Sequence, residues 1–525
     1  MQPPGLRRLF MRNRNPGTAY KGPASTNPRR SRMKRTVCLA ACLSLLPALA
    51  AAEAPKPRKI HQLLKPCKIA ELEEEALCGT YSVWENRAAR TGRKIDLKII
   101  VVPAQGADPA PDPVFYFAGG PGYPATDGAG GTAEFLGELR KERDIVFVDQ
   151  RGAGGSHPLK CPLPGGDDNP QGLLGDLFPL EILRACLPEL AAKADLTQYT
   201  TSIAMDDIDE VREWLGYSRI NLWGGSYGTR AAQVYLRRHP ERVRSAVLGG
   251  VMIMDGRMPL YIARKAQDSM EKIFDECAAE AACRAAFPNL RAEFRTVIER
   301  LRQGPVRQTV THPKTGKRIE LSIAHGPFTT ALRALQYSTG QAMRIPLYIH
   351  KAAEGDHSLM ILQALRYFDD PDWAIGQYLA ITCAEDVARF GPQDVPPLIA
   401  GTFQGDDRIR QQVAACSFWP KAEVPAGFWE PLRSPAPILM LTGWFDPATP
   451  PEWAVEVGRD LPNSLNVVMR DGSHGPGGLA KIECYGKLIS NFIVNGTPYG
   501  LDTSCVKEMK RPPFLLKEEE EKPRT

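Results

Sequence analysis

Short apolar runs and helical stripes alternate along the first half of the chain, and their periods predict its elements. Lys94–Val102, Val114–Phe117, Asp144–Val148, Ile220–Trp223 and Val243–Val251 are short and rich in Val, Ile, Leu and Phe, the composition of strands buried on both faces. Ile203, Ile208, Val211 and Leu215 recur at helical spacing ahead of the fourth of these runs. Ala231, Ala232, Val234 and Tyr235 form the apolar side of a helix after it. Alternation of this kind predicts the α/β class, a mainly parallel sheet with helices on both faces. From about Met252 to Trp429 the helical period takes over, near Leu260–Ala278, Leu290–Arg302, Pro327–Gln336, Ser358–Phe368 and Asp372–Ile381. One hairpin, Val306–Thr311 with Arg318–Ser322, interrupts it. Strands resume at Pro437–Leu441 and Leu465–Met469. The expected organisation is a leader over 1–52, the first part of an α/β core over 53–251, an inserted, mostly helical cap over 252–432, the rest of the core over 433–510, and a charged, solvated tail over 511–525.

The leader changes the reading of charge and compartment. Met33-Lys34-Arg35, the apolar run Val37–Leu49 and Ala48-Leu49-Ala50 are the three parts of a secretory signal peptide, with cleavage expected near Ala50–Ala52. The segment before Met33 is Pro/Arg/Asn-rich and without periodicity. Leu39-Ala40-Ala41-Cys42 has the form of a lipoprotein box, but the apolar region ahead of it is too short. The apolar run is also short for a membrane span and contains Pro47. An exported protein, periplasmic or secreted, is therefore expected, with no stable membrane insertion after cleavage. The formal charge is +6, yet residues 1–35 hold ten Lys or Arg and no Asp or Glu, which leaves −4 for the rest and no basis for a nucleic-acid partner.

Cysteine usage agrees with export. Once Cys38 and Cys42 leave with the leader, ten remain, in neighbouring pairs: Cys67 with Cys78, Cys161 with Cys186, Cys277 with Cys283, Cys383 with Cys416, and Cys484 with Cys505. An even set after a signal peptide predicts disulfides, although spacing alone leaves their connectivity open. There is no Cys-x-x-Cys and no close Cys/His cluster, so no metal is expected.

The chemistry concentrates on Gly224-Gly225-Ser226-Tyr227-Gly228, a G-x-S-x-G sequence between a predicted strand and a predicted helix. Such an elbow holds a serine on a sharp turn, and its flanking glycines keep strand and helix from colliding. The helix that starts after the serine aims free N–H groups at any oxyanion formed there, which makes the amide of Tyr227 one expected donor. A second must come from the loop after an earlier strand, here Ala118–Gly122. Pro121 has no N–H, so Gly120 is the candidate. In hydrolases of this type the acid and then the histidine follow the serine along the chain. Of the eight histidines only His474 lies far enough along, and Asp446, just past a strand end, is the expected acid. Asp471 is the alternative, three residues from His474. Asp149 and Arg151, after the third strand run, are expected to form a buried ion pair that shapes their loop.

Taken together, Cys78-Gly79 with Glu85-Asn86, Gly119-Gly120-Pro121-Gly122, Asp149-Gln150-Arg151-Gly152, the elbow, Gly443-Trp444-Phe445-Asp446 and Ser473-His474-Gly475 resemble the proline iminopeptidase and tripeptidyl aminopeptidase family of α/β-hydrolases. The resemblance covers nearly the whole chain after the leader and is nearer to the secreted, disulfide-rich tripeptidyl branch. It implies the α/β-hydrolase fold and serine exopeptidase chemistry without a cofactor: an acyl-enzyme on Ser226 and release of short N-terminal fragments, tripeptidyl or prolyl/aminoacyl, from peptide substrates. It further implies an anion in the cap for the substrate's α-ammonium. Glu385 and Asp386, after Cys383, are the candidates. An esterase or lipase with the same triad is the alternative, and a catalytically silent binding protein on the same scaffold a more distant one.

Overall fold

The computed structural model describes residues 58–518; the leader with Cys38 and Cys42, and residues 519–525 of the tail, lie outside them. Among the described residues there are eleven strands: β1 (Lys65–Cys67), β2 (Ala76–Trp84), β3 (Lys94–Val102), β4 (Val114–Phe117), β5 (Ile145–Val148), β6 (Ile220–Gly225), β7 (Val243–Gly249), β8 (Val306–Thr311), β9 (Arg318–Ile323), β10 (Ile438–Gly443) and β11 (Ser464–Met469). Nine form one sheet in the order β1-β2-β3-β5-β4-β6-β7-β10-β11, and β8 and β9 form a separate antiparallel hairpin. The first three strands run antiparallel and every pair from β5 to β11 is parallel. This is the α/β-hydrolase fold.

β5, Ile145-Val146-Phe147-Val148, is apolar and buried at every position because both faces of the sheet are covered there. Val146 and Val148 of β5 pack on one side with helices α1 (Thr201–Leu215) and α2 (Tyr227–Arg238). Ile145 and Phe147 point to the other, where Ala129–Phe135 and Glu483–Asn495 lie. In such a sheet, ligands meet the crevice beyond the carboxyl ends of the parallel strands. Ser226, Asp446 and His474 all follow such ends, those of β6, β10 and β11.

Between β7 and β10 the chain is mostly helical and encloses a core of its own, built from Phe274, Phe294, Leu332 and their neighbours, into which Phe445 inserts from the loop after β10. The Pro/Gly-rich stretch 159–195, which precedes this block, contains a helix, Leu180–Lys193, whose Leu183, Cys186 and Leu190 are buried despite Pro188. The helix expected over Asp372–Ile381 instead runs over Ile375–Glu385 (α3). Its start is displaced by a turn at Asp370-Pro371-Asp372, in which the Asp372 amide donates to Asp370 Oδ1 at 3.2 Å.

Five disulfides join Cys67–Cys78, Cys161–Cys186, Cys277–Cys283, Cys383–Cys416 and Cys484–Cys505. The fourth ties the end of α3 to Asp407–Cys416 across a separation of 33 residues. Closing a loop of that length removes about 3–4 kcal/mol of unfolded-chain entropy. The double variant Cys383→Ala/Cys416→Ala is expected to lose roughly that much stability in denaturant unfolding, with the slope against denaturant little changed. No helix among the described residues is long and apolar enough to cross a membrane.

Candidate active site

Ser226 sits where β6 turns into α2, with φ 57° and ψ −123°, a backbone conformation that L-residues rarely adopt. Its amide donates to the carbonyl of Gly249 at 2.9 Å, which locks the turn against the end of β7. The flanking glycines are required by contact. A Cβ on Gly224 would lie 2.2 Å from the Gly228 carbonyl oxygen, and one on Gly228 would lie 2.1 Å from that of Phe117. Strand, turn and helix therefore close on one another with no room for a methyl group.

His474 lies on the other side of the same β7 end. A Cβ on Gly250 would fall 3.1 Å from its Cε1, so the ring packs on the residue next to the one that anchors Ser226. Its Nδ1 is 2.8 Å from Asp446 Oδ2, and both side chains are buried, at 5% and 0% exposure. The other bonds of Asp446 fix its carboxylate in place. Oδ1 accepts from the amides of Ala448 and Thr449, both at 2.8 Å, and Oδ2 accepts from Thr449 Oγ1, also at 2.8 Å. A carboxylate at that distance accepts a hydrogen bond from Nδ1–H, which leaves the ring's lone pair on Nε2. Nε2 is buried and has no hydrogen-bond partner among the described residues. Tyr337 packs edge-on against the ring at 4.9 Å and restricts its rotation.

Ser226 and His474 line one cavity of about 420 Å³, a size that admits a ligand of a few residues. One wall is aromatic, from Tyr116, Phe135, Trp223 and Tyr485. Carboxylates of Glu71, Asp127, Asp369, Asp370 and Asp372 lie along the rest. Asp370 accepts a hydrogen bond from Tyr123 at 2.6 Å, and burial together with Asp370 raises the Tyr123 phenol well above its usual range. Asp369 is paired with Lys314 at 2.9 Å.

The other residues singled out in the sequence divide between this cavity and places away from it. Gly119 passes beside Ser226, since a Cβ there would lie 3.7 Å from its Oγ. Gly120 follows with φ +112°. Gly120 and Tyr227 are not among the residues lining the cavity, and the role expected of them needs only their backbone amides. Asp471 does not touch His474. It accepts from the Arg511 amide at 3.3 Å and lies 3.8 Å from Lys510, so its place is against the C-terminal segment. The ion pair expected between Asp149 and Arg151 is absent. Asp149 accepts from the Thr126 and Gly155 amides, both at 2.9 Å, while Arg151 pairs with Asp207 at 2.6 Å. Backbone donors satisfy the acid, and the longer arginine reaches α1 instead.

Glu385 and Asp386 require the largest correction. Both are fully buried and neither lines the cavity. Asp386 pairs with Arg230 at 2.8 Å, and Glu385 accepts from both the amide and the hydroxyl of Thr201. As the last turn of an all-buried helix, they turn inward to polar partners and away from substrate. Of the five acidic residues that do line the cavity, three come from the run Asp369-Asp370-Pro371-Asp372. In sequence the signal is three acids around a proline between two helical stripes, the second of which has helical spacing from Asp372 onward.

Residues 402–505 match the family described as TAP-like protein. The serine protease Hip1 of Mycobacterium tuberculosis is 24% identical over 467 residues, 82% of this chain and 87% of that one. The tripeptidyl aminopeptidase of Streptomyces lividans is 23% identical over 470 residues, 82% and 83% of the two chains. The proline iminopeptidase of Neisseria gonorrhoeae is 31% identical over a shorter stretch of 150 residues, 28% and 36% of the two. With its parallel sheet and strand-to-helix elbow the chain is a serine hydrolase of the α/β-hydrolase fold, similar along most of its length to a serine protease and a tripeptidyl aminopeptidase and over a shorter stretch to a proline iminopeptidase.

Proposed function

We propose that this protein is an exported serine exopeptidase that removes short fragments from the free N-termini of peptides, with Ser226 as nucleophile, His474 as general base and acid, and Asp446 as the group that orients it. The observation that carries this reading is the buried Nε2 of His474, without a hydrogen-bond partner among the described residues, on a residue that lines the same cavity as Ser226. A buried polar atom without a partner costs stability and is kept where a reacting group completes it. Nε2 takes the proton of Ser226 Oγ as that oxygen attacks the scissile carbonyl carbon. The amides of Tyr227 and Gly120 receive the oxyanion, and the imidazolium, stabilised by Asp446, hands its proton to the leaving amine. Water then repeats the steps on the acyl-enzyme and releases the N-terminal fragment.

The helical block 252–432 serves as the cap, and its acidic loop makes the enzyme an aminopeptidase. A substrate bound with its P1 side chain on the aromatic wall presents its α-ammonium to Asp370 and Asp372, the position first expected of Glu385 and Asp386. The disulfides and the leader support export to an oxidising compartment.

A tripeptidyl amide with a free α-amine, its N-acetylated twin and a short acyl ester separate the possibilities. The free amine is expected to have the highest kcat/KM, with acetylation costing at least about tenfold and mainly in KM. Asp370→Asn is expected to raise KM for the free amine by a similar factor and leave the acetylated twin unaffected. Hydrolysis of the ester alone would replace the peptidase reading with an esterase.

A further inference from the structure

Next to the elbow, among residues that do not line the cavity, lies a buried polar chain that the mechanism above does not use. Glu385 Oε1 accepts from the Thr201 amide at 2.7 Å, and Oε2 accepts from the Thr201 hydroxyl at 2.8 Å. The Thr201 hydroxyl is in turn 2.7 Å from the phenol of Tyr227, which lies 3.3 Å from Gln150 Oε1. All the residues of this chain are buried. Glu385 belongs to α3, Thr201 to the first turn of α1 and Gln150 to the loop after β5, and Tyr227 is the first residue of α2. The charged groups facing Glu385 are Arg230 of α2, 4.0 Å away, and its neighbour Asp386, which pairs with the same arginine. Trp429 fixes the backbone of Glu385 by donating to its carbonyl at 2.7 Å.

We propose that Glu385 is a positioning residue: through Thr201 it fixes the side chain of Tyr227, and with it the amide beside Ser226 that receives the oxyanion. The inference rests on the reading of Ser226 and Tyr227 given above. It ties the cap to the chemistry through residues that do not line the cavity.

The chain of hydroxyls has two proton arrangements. With Glu385 ionised, Thr201 donates to the carboxylate and Tyr227 donates to Thr201, so every bond points toward the charge. With Glu385 protonated, Glu385 donates to Thr201, Thr201 donates to Tyr227, and Tyr227 turns its proton to Gln150 across the longer contact. The first arrangement is charge-assisted and holds the phenol more tightly. Burial, opposed by Arg230 and the Thr201 bonds, pushes the Glu385 carboxyl up to about 7, so the chain reverses within the ordinary working range of pH.

The test is the rate at which a neutral fluorophosphonate labels Ser226 as pH is varied, since this probe has no titrating group of its own. In the wild-type protein the rate is expected to show, beyond the ionisation of the base, a second step of about tenfold near neutrality, rising with pH. Glu385→Gln, which fixes the chain in its reversed direction, should keep full labelling stoichiometry and lose that step. Thr201→Val preserves the amide bond to Glu385 but cuts the link to Tyr227, and should lose the step as well, so the test stands even if the first variant does not fold. Wild-type rates and pH profile in either variant would overturn the positioning role. Absence of labelling in the wild-type protein would instead overturn the serine-hydrolase reading on which it rests.

Discussion

Ser226→Ala is expected to lower kcat on a free-amine tripeptidyl amide by about a millionfold, the scale seen when the nucleophile of such a triad is removed. The variant should fold. Ser226 is followed by a helix whose buried face does not involve its hydroxyl, and its anchoring bonds are made by its backbone: the amide donates to the Gly249 carbonyl and the carbonyl accepts from the Thr229 amide and hydroxyl. KM should stay within a few-fold of the wild-type value, because the aromatic wall and the acidic loop that bind the peptide are untouched. Stopped assays at high enzyme concentration, with a matched melting curve, measure both quantities.

Asp446→Asn is expected to lower kcat by about ten thousandfold with the backbone unchanged. Its carboxylate accepts two amides, one hydroxyl and the imidazole, and an asparagine can satisfy only part of that set. If its carbonyl keeps the Ala448 and Thr449 amides, its NH2 group faces Nδ1 and makes that nitrogen the acceptor. The ring proton then moves to Nε2, the atom that must be bare to act as base. The loss should therefore fall on kcat and not on KM, and should not be recovered by raising the pH above neutrality.

The elements that carry these effects were legible for separate physical reasons. The elbow could be read because contact between β6, α2 and β4 forbids side chains at Gly224 and Gly228, so the constraint is written in residue type. Asp446 and His474 could be read because chain order left few residues able to meet Ser226, and both stand directly after strands whose apolar runs are unmistakable. The sheet was readable for the same reason: strands covered on both faces cannot hide their hydrophobicity.

Less of the helical block could be read. Helices there pack on several sides, so apolar spacing gives their existence but not their ends, and in sequence the turn at Asp370-Pro371-Asp372 is continuous with the helix that follows it. The misreading of Glu385 and Asp386 has the same origin. Two carboxylates at a helix end are exposed in most proteins, and only the buried Arg230 and Thr201 opposite, on α2 and α1, turn these inward. Nothing local in the sequence connects positions 201, 230 and 385. Arg151 likewise found Asp207 on α1 in preference to the adjacent Asp149.

The central claim is that one hydroxyl, that of Ser226, becomes acylated during turnover. Treating the protein with a fluorophosphonate, measuring its intact mass and sequencing the modified peptide tests this most directly. The account predicts one adduct per chain, on Ser226, with loss of peptidase activity in proportion to labelling. Full inhibition with the adduct on another residue, or undiminished hydrolysis by a chain fully modified at Ser226, would contradict it.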